Sequence, residues 1–178
     1  MTELTNDTAD IERVLEERAR ALAHVPAAEN HSNEIELVVL ALGAERYGVD
    51  ILQVQSIQAR PGLARVPGLP AFWAGLVNLR GRLYPVLNLR RYLALAGEPA
   101  EGGKLAVVAG GDLSVALWVD DVLAIRRVLL DEISAPLADA ATAAQRGHGV
   151  RGVTPDLLVV LDLDVLLGDA RLVIQATN

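Results

Sequence analysis

The chain has no cysteine, which removes disulfide frameworks, thiolate metal sites and cysteine nucleophiles together. Aromatic residues are scarce, with one Phe, two Trp and three Tyr in 178 residues, so there is little on which a nucleobase could stack. No apolar run reaches the roughly 20 residues that span a bilayer. The opening stretch, MTELTNDTADIERVLEERARAL, lacks a basic segment leading into an apolar one, so neither insertion into a membrane nor a secretory leader is expected. Basic charge is in deficit, with 16 Lys and Arg against 23 Asp and Glu and a formal charge of −7. That balance opposes a phosphate backbone or an anionic bilayer as partner, so no nucleic acid is expected. These absences suit a cytoplasmic protein. The length suffices for a buried core without metal or cofactor, and none is expected.

What is present changes character along the chain. Ile11, Val14, Leu15, Ala19 and Leu22 recur at helical spacing, with Asp7, Thr8 and Asp10 as capping and first-turn residues, so residues 1–30 read as an amphipathic helix ending near His24 and a linker containing Pro26. From Ile35 onward short runs of Val, Ile and Leu alternate with glycine and proline, the spelling of a small β-barrel or sandwich. ELVVLALGAERYGVDI reads as two strands around a turn at Gly43 to Arg46. GLVNLRGRLYPVLNL reads as a second hairpin turning at Arg80 to Arg82.

The pattern occurs twice. Leu37 to Ile57 lies without gaps over Leu105 to Ile125, with Gly43 matching Gly111, and Gly75 to Leu89 lies over Gly149 to Leu163. Two similar β subdomains follow, at about 35–95 and 104–167, with the connector LAGEPAEGG between them and an Ala-rich insert, DEISAPLADAATAAQRG, in the second. Only the first copy carries the hairpin arginine, since Thr154 stands in the place of Arg80. An arginine at a hairpin tip is ordinarily a solvated turn residue; its absence from the second copy points to a task other than folding.

Catalytic chemistry finds no home. GHGVRG, Gly147 to Gly152, fits the spacing of a dinucleotide fingerprint, but an Ala-rich segment precedes it and a strand follows, the reverse of what that site needs. His24, His31 and His148 are scattered through linkers without ligand spacing. Asp120 with Asp121 reads as a strand exit, and Asp162 with Asp164 as the polar side of a strand, rather than as acid and base pairs. No nucleophile elbow or phosphate-binding glycine loop is present.

YGVDILQVQSI, VPGLPAFWAGLVNLRGRLYPVLNLR and WVDDVLAI together resemble the CheW-like bacterial chemotaxis coupling proteins, from about Ile35 to Leu167. The resemblance implies an all-β fold of two SH3-like five-stranded barrels, intertwined at their ends, over residues 31–170; the N-terminal α-helix read above is an addition to that pattern, and residues 171–178 are a C-terminal tail. It implies a non-catalytic adaptor joining the cytoplasmic tip of a chemoreceptor to the regulatory domain of a CheA-type histidine kinase, recruited to receptor arrays at the membrane. Carried over by motif, Ile51, Val54, Ser56 and Arg80 map to the receptor groove, and Leu63, Arg65 and Val66 to the kinase-facing edge. Ser56 stands where many members have a glutamate that pairs with the arginine. Ile51 and Val54, three residues apart, are equally readable as core. Two other readings stay open: an adaptor serving twitching, surface sensing or a second messenger, and a small-ligand sensor domain. The N-terminal helix packs on its own protein or meets a partner.

Overall fold

A computed structural model describes residues 33–97, 100, 102–135 and 149–173. The N-terminal helix, most of the Ala-rich insert and the last five residues lie outside the described residues, and the architecture is that of the unit Glu34–Asn178.

Ten strands form two five-stranded sheets. Sheet one contains β1 (Glu34–Leu42), β2 (Glu45–Asp50), β8 (Asp121–Leu129), β9 (Val150–Val153) and β10 (Leu158–Leu161), in the order β8-β1-β2-β10-β9. Sheet two contains β3 (Val54–Ala59), β4 (Trp73–Leu79), β5 (Arg82–Asn88), β6 (Lys104–Gly110) and β7 (Leu113–Val119), in the order β3-β6-β7-β5-β4. Advancing every strand by five places turns the first order into the second, so the sequence repeat is a repeat of structure. The sheets nevertheless do not follow the two copies. Each combines a hairpin from one copy with three strands of the other, through the parallel pairs β2 with β10 and β5 with β7. The division at about 35–95 and 104–167 thus separates the copies in sequence while both sheets are built across it.

Burial explains the strands that are apolar on successive residues. Val38, Leu40 and Leu42 of β1 meet Ala106 and Val108 of β6 in a central core between the sheets. Leu37 and Val39 point the other way, into a cluster with Val128, Leu158 and Val160. In sheet two, Val86 packs with Val77, Leu105 and Val107 while its neighbour Leu87 joins the central core. A strand covered on both faces has no polar side to alternate.

Two expectations are corrected. No ladder closes either sheet into a barrel among the described residues, because β8, β9, β3 and β4 remain edges. Asp162 and Asp164 do not share a strand: β10 ends at Leu161, Asp162 caps the short helix α2 (Leu163–Leu167), accepting from Val165 N at 3.0 Å, and Asp164 lies inside that helix. Asn88 caps α1 (Leu89–Tyr92) in the same way at the matching place in the first copy. Leu172, beyond the expected boundary at 170, is buried in the central core. Among the described residues no helix is long and apolar enough to cross a membrane.

Candidate functional site

The β4–β5 hairpin sets the position of Arg80. Leu79 pairs with Arg82, leaving Arg80 and Gly81 as a two-residue loop with φ of 52° and 83°. Both are left-handed, the pattern of a type I′ turn, whose twist suits the flanking strands. Gly81 N donates to Asn78 Oδ1 at 2.9 Å and pins the loop. Glycine enters this region freely, whereas it costs an arginine on the order of 1 kcal/mol. Arg80 is exposed and makes no hydrogen bond or ion pair with any described residue. Close to it Leu83 is 68% exposed, opposite Asn78 in the ladder.

The matching hairpin of sheet one closes differently. Thr154 is buried, its hydroxyl donating to Asp156 Oδ1 at 2.7 Å and accepting from Leu158 N at 3.1 Å. Asp156 is held by Arg126, and its backbone oxygen accepts from Arg46 Nη2 at 2.8 Å. The hydrogen bond from Arg126, with that from Thr154, draws the Asp156 carboxyl down to about 2. Thr154 is therefore the closure of a longer loop, and the two copies compare different turns. It is Arg80's own exposure and backbone that set it apart.

The apolar candidates sit at the start of β3. Residues Ile51–Gln53 form a 3₁₀ turn whose first N–H groups are capped by Asp50, which accepts from Leu52 N at 2.9 Å. Ile51 and Val54 are half-buried and both pack on the central core. The same turn throws Leu52, between them, out to 90% exposure. Ser56 is half-buried opposite Val107, beyond an irregularity in the ladder. β3 and the β4–β5 hairpin stand at opposite ends of the strand order, and no hydrogen bond joins Ser56 to Arg80. The structure thus brings Ile51 and Val54 together on one core and leaves Arg80 untethered to them.

The other strip runs along β4. Ala64 exchanges two backbone hydrogen bonds with Leu76, at 2.9 and 2.8 Å, so the segment lies on the outer edge of sheet two. Gly75 makes this approach possible: at φ 133°, a Cβ there would fall 2.2 Å from Ala64 O. Leu63 turns inward onto the cluster under sheet two, while Arg65 and Val66 face solvent.

Sequence reasoning missed two features. Leu52 was hidden by its neighbours, and its only local signal was the cap at Asp50. The second is a buried junction between Arg90 and Asp120. Arg90 Nη2 donates to Asp120 Oδ2 at 2.5 Å and Nη1 to Ala96 O at 2.7 Å. Asp120 also accepts from Gly43 N at 2.6 Å and Ala100 N at 3.0 Å. Burial pushes this carboxyl up, but the hydrogen bonds from Ala100, Gly43 and Arg90 outweigh it, and the group lies below its ordinary range. Its neighbour Asp121 pairs instead with Lys104, at 2.6 Å. The two carboxylates serve different elements and do not form an acid and base pair.

A family model described as CheW-like domain matches residues 36–171. Chemotaxis protein CheW of Klebsiella aerogenes is 29% identical over 139 residues, covering 77% of this chain and 84% of that protein. Chemotaxis protein CheW of Treponema pallidum is 28% identical, covering 83% and 90%. Protein PilI of Pseudomonas aeruginosa is 26% identical, covering 76% and 78%. The crystal structure of scaffolding protein TtCheW from Thermoanaerobacter tengcongensis superposes with a TM-score of 0.66 at 22% identity, over 77% of this chain and 94% of that one.

Proposed function

Since the chain belongs to the CheW-like domain family, we propose that it is a non-catalytic adaptor of chemotaxis signalling, coupling chemoreceptors to a CheA-type histidine kinase through protein surfaces alone. The observation that carries a docking role is Arg80: a cation presented at a hairpin tip, exposed, unpaired among the described residues, and held in a backbone conformation that a turn-former would occupy at lower cost. A guanidinium so placed offers five donors to the carboxylates or carbonyls of a partner.

Receptor contact is assigned to Arg80 with the half-buried rim of Ile51, Val54 and Ser56, and Leu52 is added as the apolar side chain best placed to insert into a partner. Kinase contact is assigned to the strip on β4, with Arg65 and Val66 outward and Leu63 holding the strip down. Such an adaptor works in the cytoplasm and reaches the membrane by way of the receptors it binds.

The test is co-sedimentation of the full chain with the cytoplasmic fragment of its receptor and the regulatory domain of its kinase. A ternary complex is expected, weakened at least about tenfold by Arg80→Glu with the thermal unfolding midpoint unchanged. Failure of both partners to bind the wild type overturns the adaptor reading. Full binding by Arg80→Glu removes Arg80 from the site.

A further inference from the structure

Between Asp50 and Glu98 the chain carries Arg60, Arg65, Arg80, Arg82, Arg90 and Arg91 and no acidic residue at all; all 23 acidic residues lie elsewhere. That stretch supplies β3, β4 and β5 of sheet two. Arg90 is buried against Asp120. Arg65, Arg80 and Arg82 are exposed and meet no carboxylate among the described residues; the guanidinium of Arg82 lies 5.6 Å from the ring of its own strand's Tyr84. On sheet one Arg46 and Arg126 share Asp156 and Arg127 faces Glu36, while Arg151 of β9 stands exposed and by itself among the described residues.

Arg65, Arg80 and Arg82 follow one edge. Arg65 succeeds Ala64, which pairs with Leu76 on β4. The antiparallel pairing sets Arg65 beside Gly75, so Arg80 lies five residues further along, about 17 Å at the rise of a strand, and Arg82 closes the hairpin opposite Leu79. That spacing exceeds the screening length at physiological salt, about 8 Å, so each cation acts locally, and a partner must span the edge to meet more than one. Leu83, exposed among them, supplies an apolar contact.

We propose that this arginine edge selects an acidic protein surface, which the net charge of −7 on the whole chain does not otherwise attract. The inference rests on the adaptor reading and names the chemistry of the partner surface. Complementary charge of this kind sets encounter rate and orientation more than final affinity.

The test is fluorescence anisotropy of a labelled short poly-glutamate peptide titrated with the full chain, with poly-lysine of equal length as control. Binding is expected for poly-glutamate alone, weakening about tenfold between low and roughly 0.3 M salt. Arg65→Gln and Arg82→Gln each weaken it about two- to five-fold, and Arg127→Gln on the other sheet leaves it unchanged. Absence of poly-glutamate binding, or binding indifferent to Arg65 and Arg82, overturns the proposal. So does tighter capture of anionic vesicles or duplex DNA through the same arginines, which assigns the edge to another class of partner. Co-sedimentation with receptor and kinase is a separate readout, so the adaptor reading and the acidic-surface proposal fail independently.

Discussion

Arg80 occupies a place where asparagine or glycine is the stable choice. In a two-residue I′ turn both central residues are left-handed, and Asn-Gly is the favoured pair because the asparagine side chain tolerates that region. Arg80→Asn is therefore expected to raise stability by on the order of 1 kcal/mol, read as a shift in the denaturant midpoint at unchanged slope. The same variant is expected to weaken partner binding, since it removes the guanidinium. A variant that binds as wild type and is more stable would show that the arginine has no docking role; loss of both stability and binding would show that the turn depends on it. Gly75 is the opposite case, a residue fixed by fold alone, because no side chain fits between its backbone and Ala64 O.

At the scale of elements, polar clasps fasten the short helices and connections to the sheets. Tyr92 at the end of α1 donates to Asp169 Oδ2 at 2.7 Å, and Arg171 reaches the same oxygen through Nε at 2.7 Å and Nη2 at 2.6 Å, its guanidinium 4.8 Å above the Tyr92 ring. Burial pushes the Asp169 carboxyl up, but hydrogen bonds from Arg171 and Tyr92 prevail and hold it far below the usual carboxylate range. The Tyr92 hydroxyl is pushed up to about 12 by burial and by the adjacent Asp169. A depressed carboxylate stabilises the fold above its unfolded value near 4 and loses that contribution as pH falls toward its folded value. A raised tyrosine stabilises the fold below about 10 and loses its contribution between about 10 and 12. Urea midpoints are thus expected to be level from about pH 5 to 9 and to fall on either side. Asp169→Asn is expected to cost about 2 kcal/mol near neutrality and to flatten the acid limb. An unchanged acid limb in that variant would locate the titration elsewhere.

For the whole molecule the decisive feature is the exchange of strands. β1 and β2 lean on β8 and β10, while β6 and β7 lean on β3 and β5, and the central core draws side chains from both copies. Neither half can bury its apolar faces alone. Separate fragments 1–100 and 101–178 are expected to lack the dispersed amide spectrum of a fold and to recover it on mixing, and the intact chain is expected to unfold in one transition. A fragment folding independently would mean that each copy re-pairs its strands within itself.

Strand grammar, hairpins and the repeat were legible because each is written in a few consecutive residues: apolar runs mark strands, and glycine at a turn marks φ above zero. The arginine missing from the second copy was legible for the same reason. From residue 34 onward an all-β fold of two matching copies, with one unmatched cation at a hairpin tip, could be read from local pattern alone. Tertiary structure alone decided that the sheets exchange strands, that Ile51 and Val54 turn toward the core while Leu52 turns out, and that Arg90 meets Asp120 across 30 residues. Local propensity sees only neighbours along the chain, whereas register, two-sided burial and ion pairing are settled by which distant segments lie close in space.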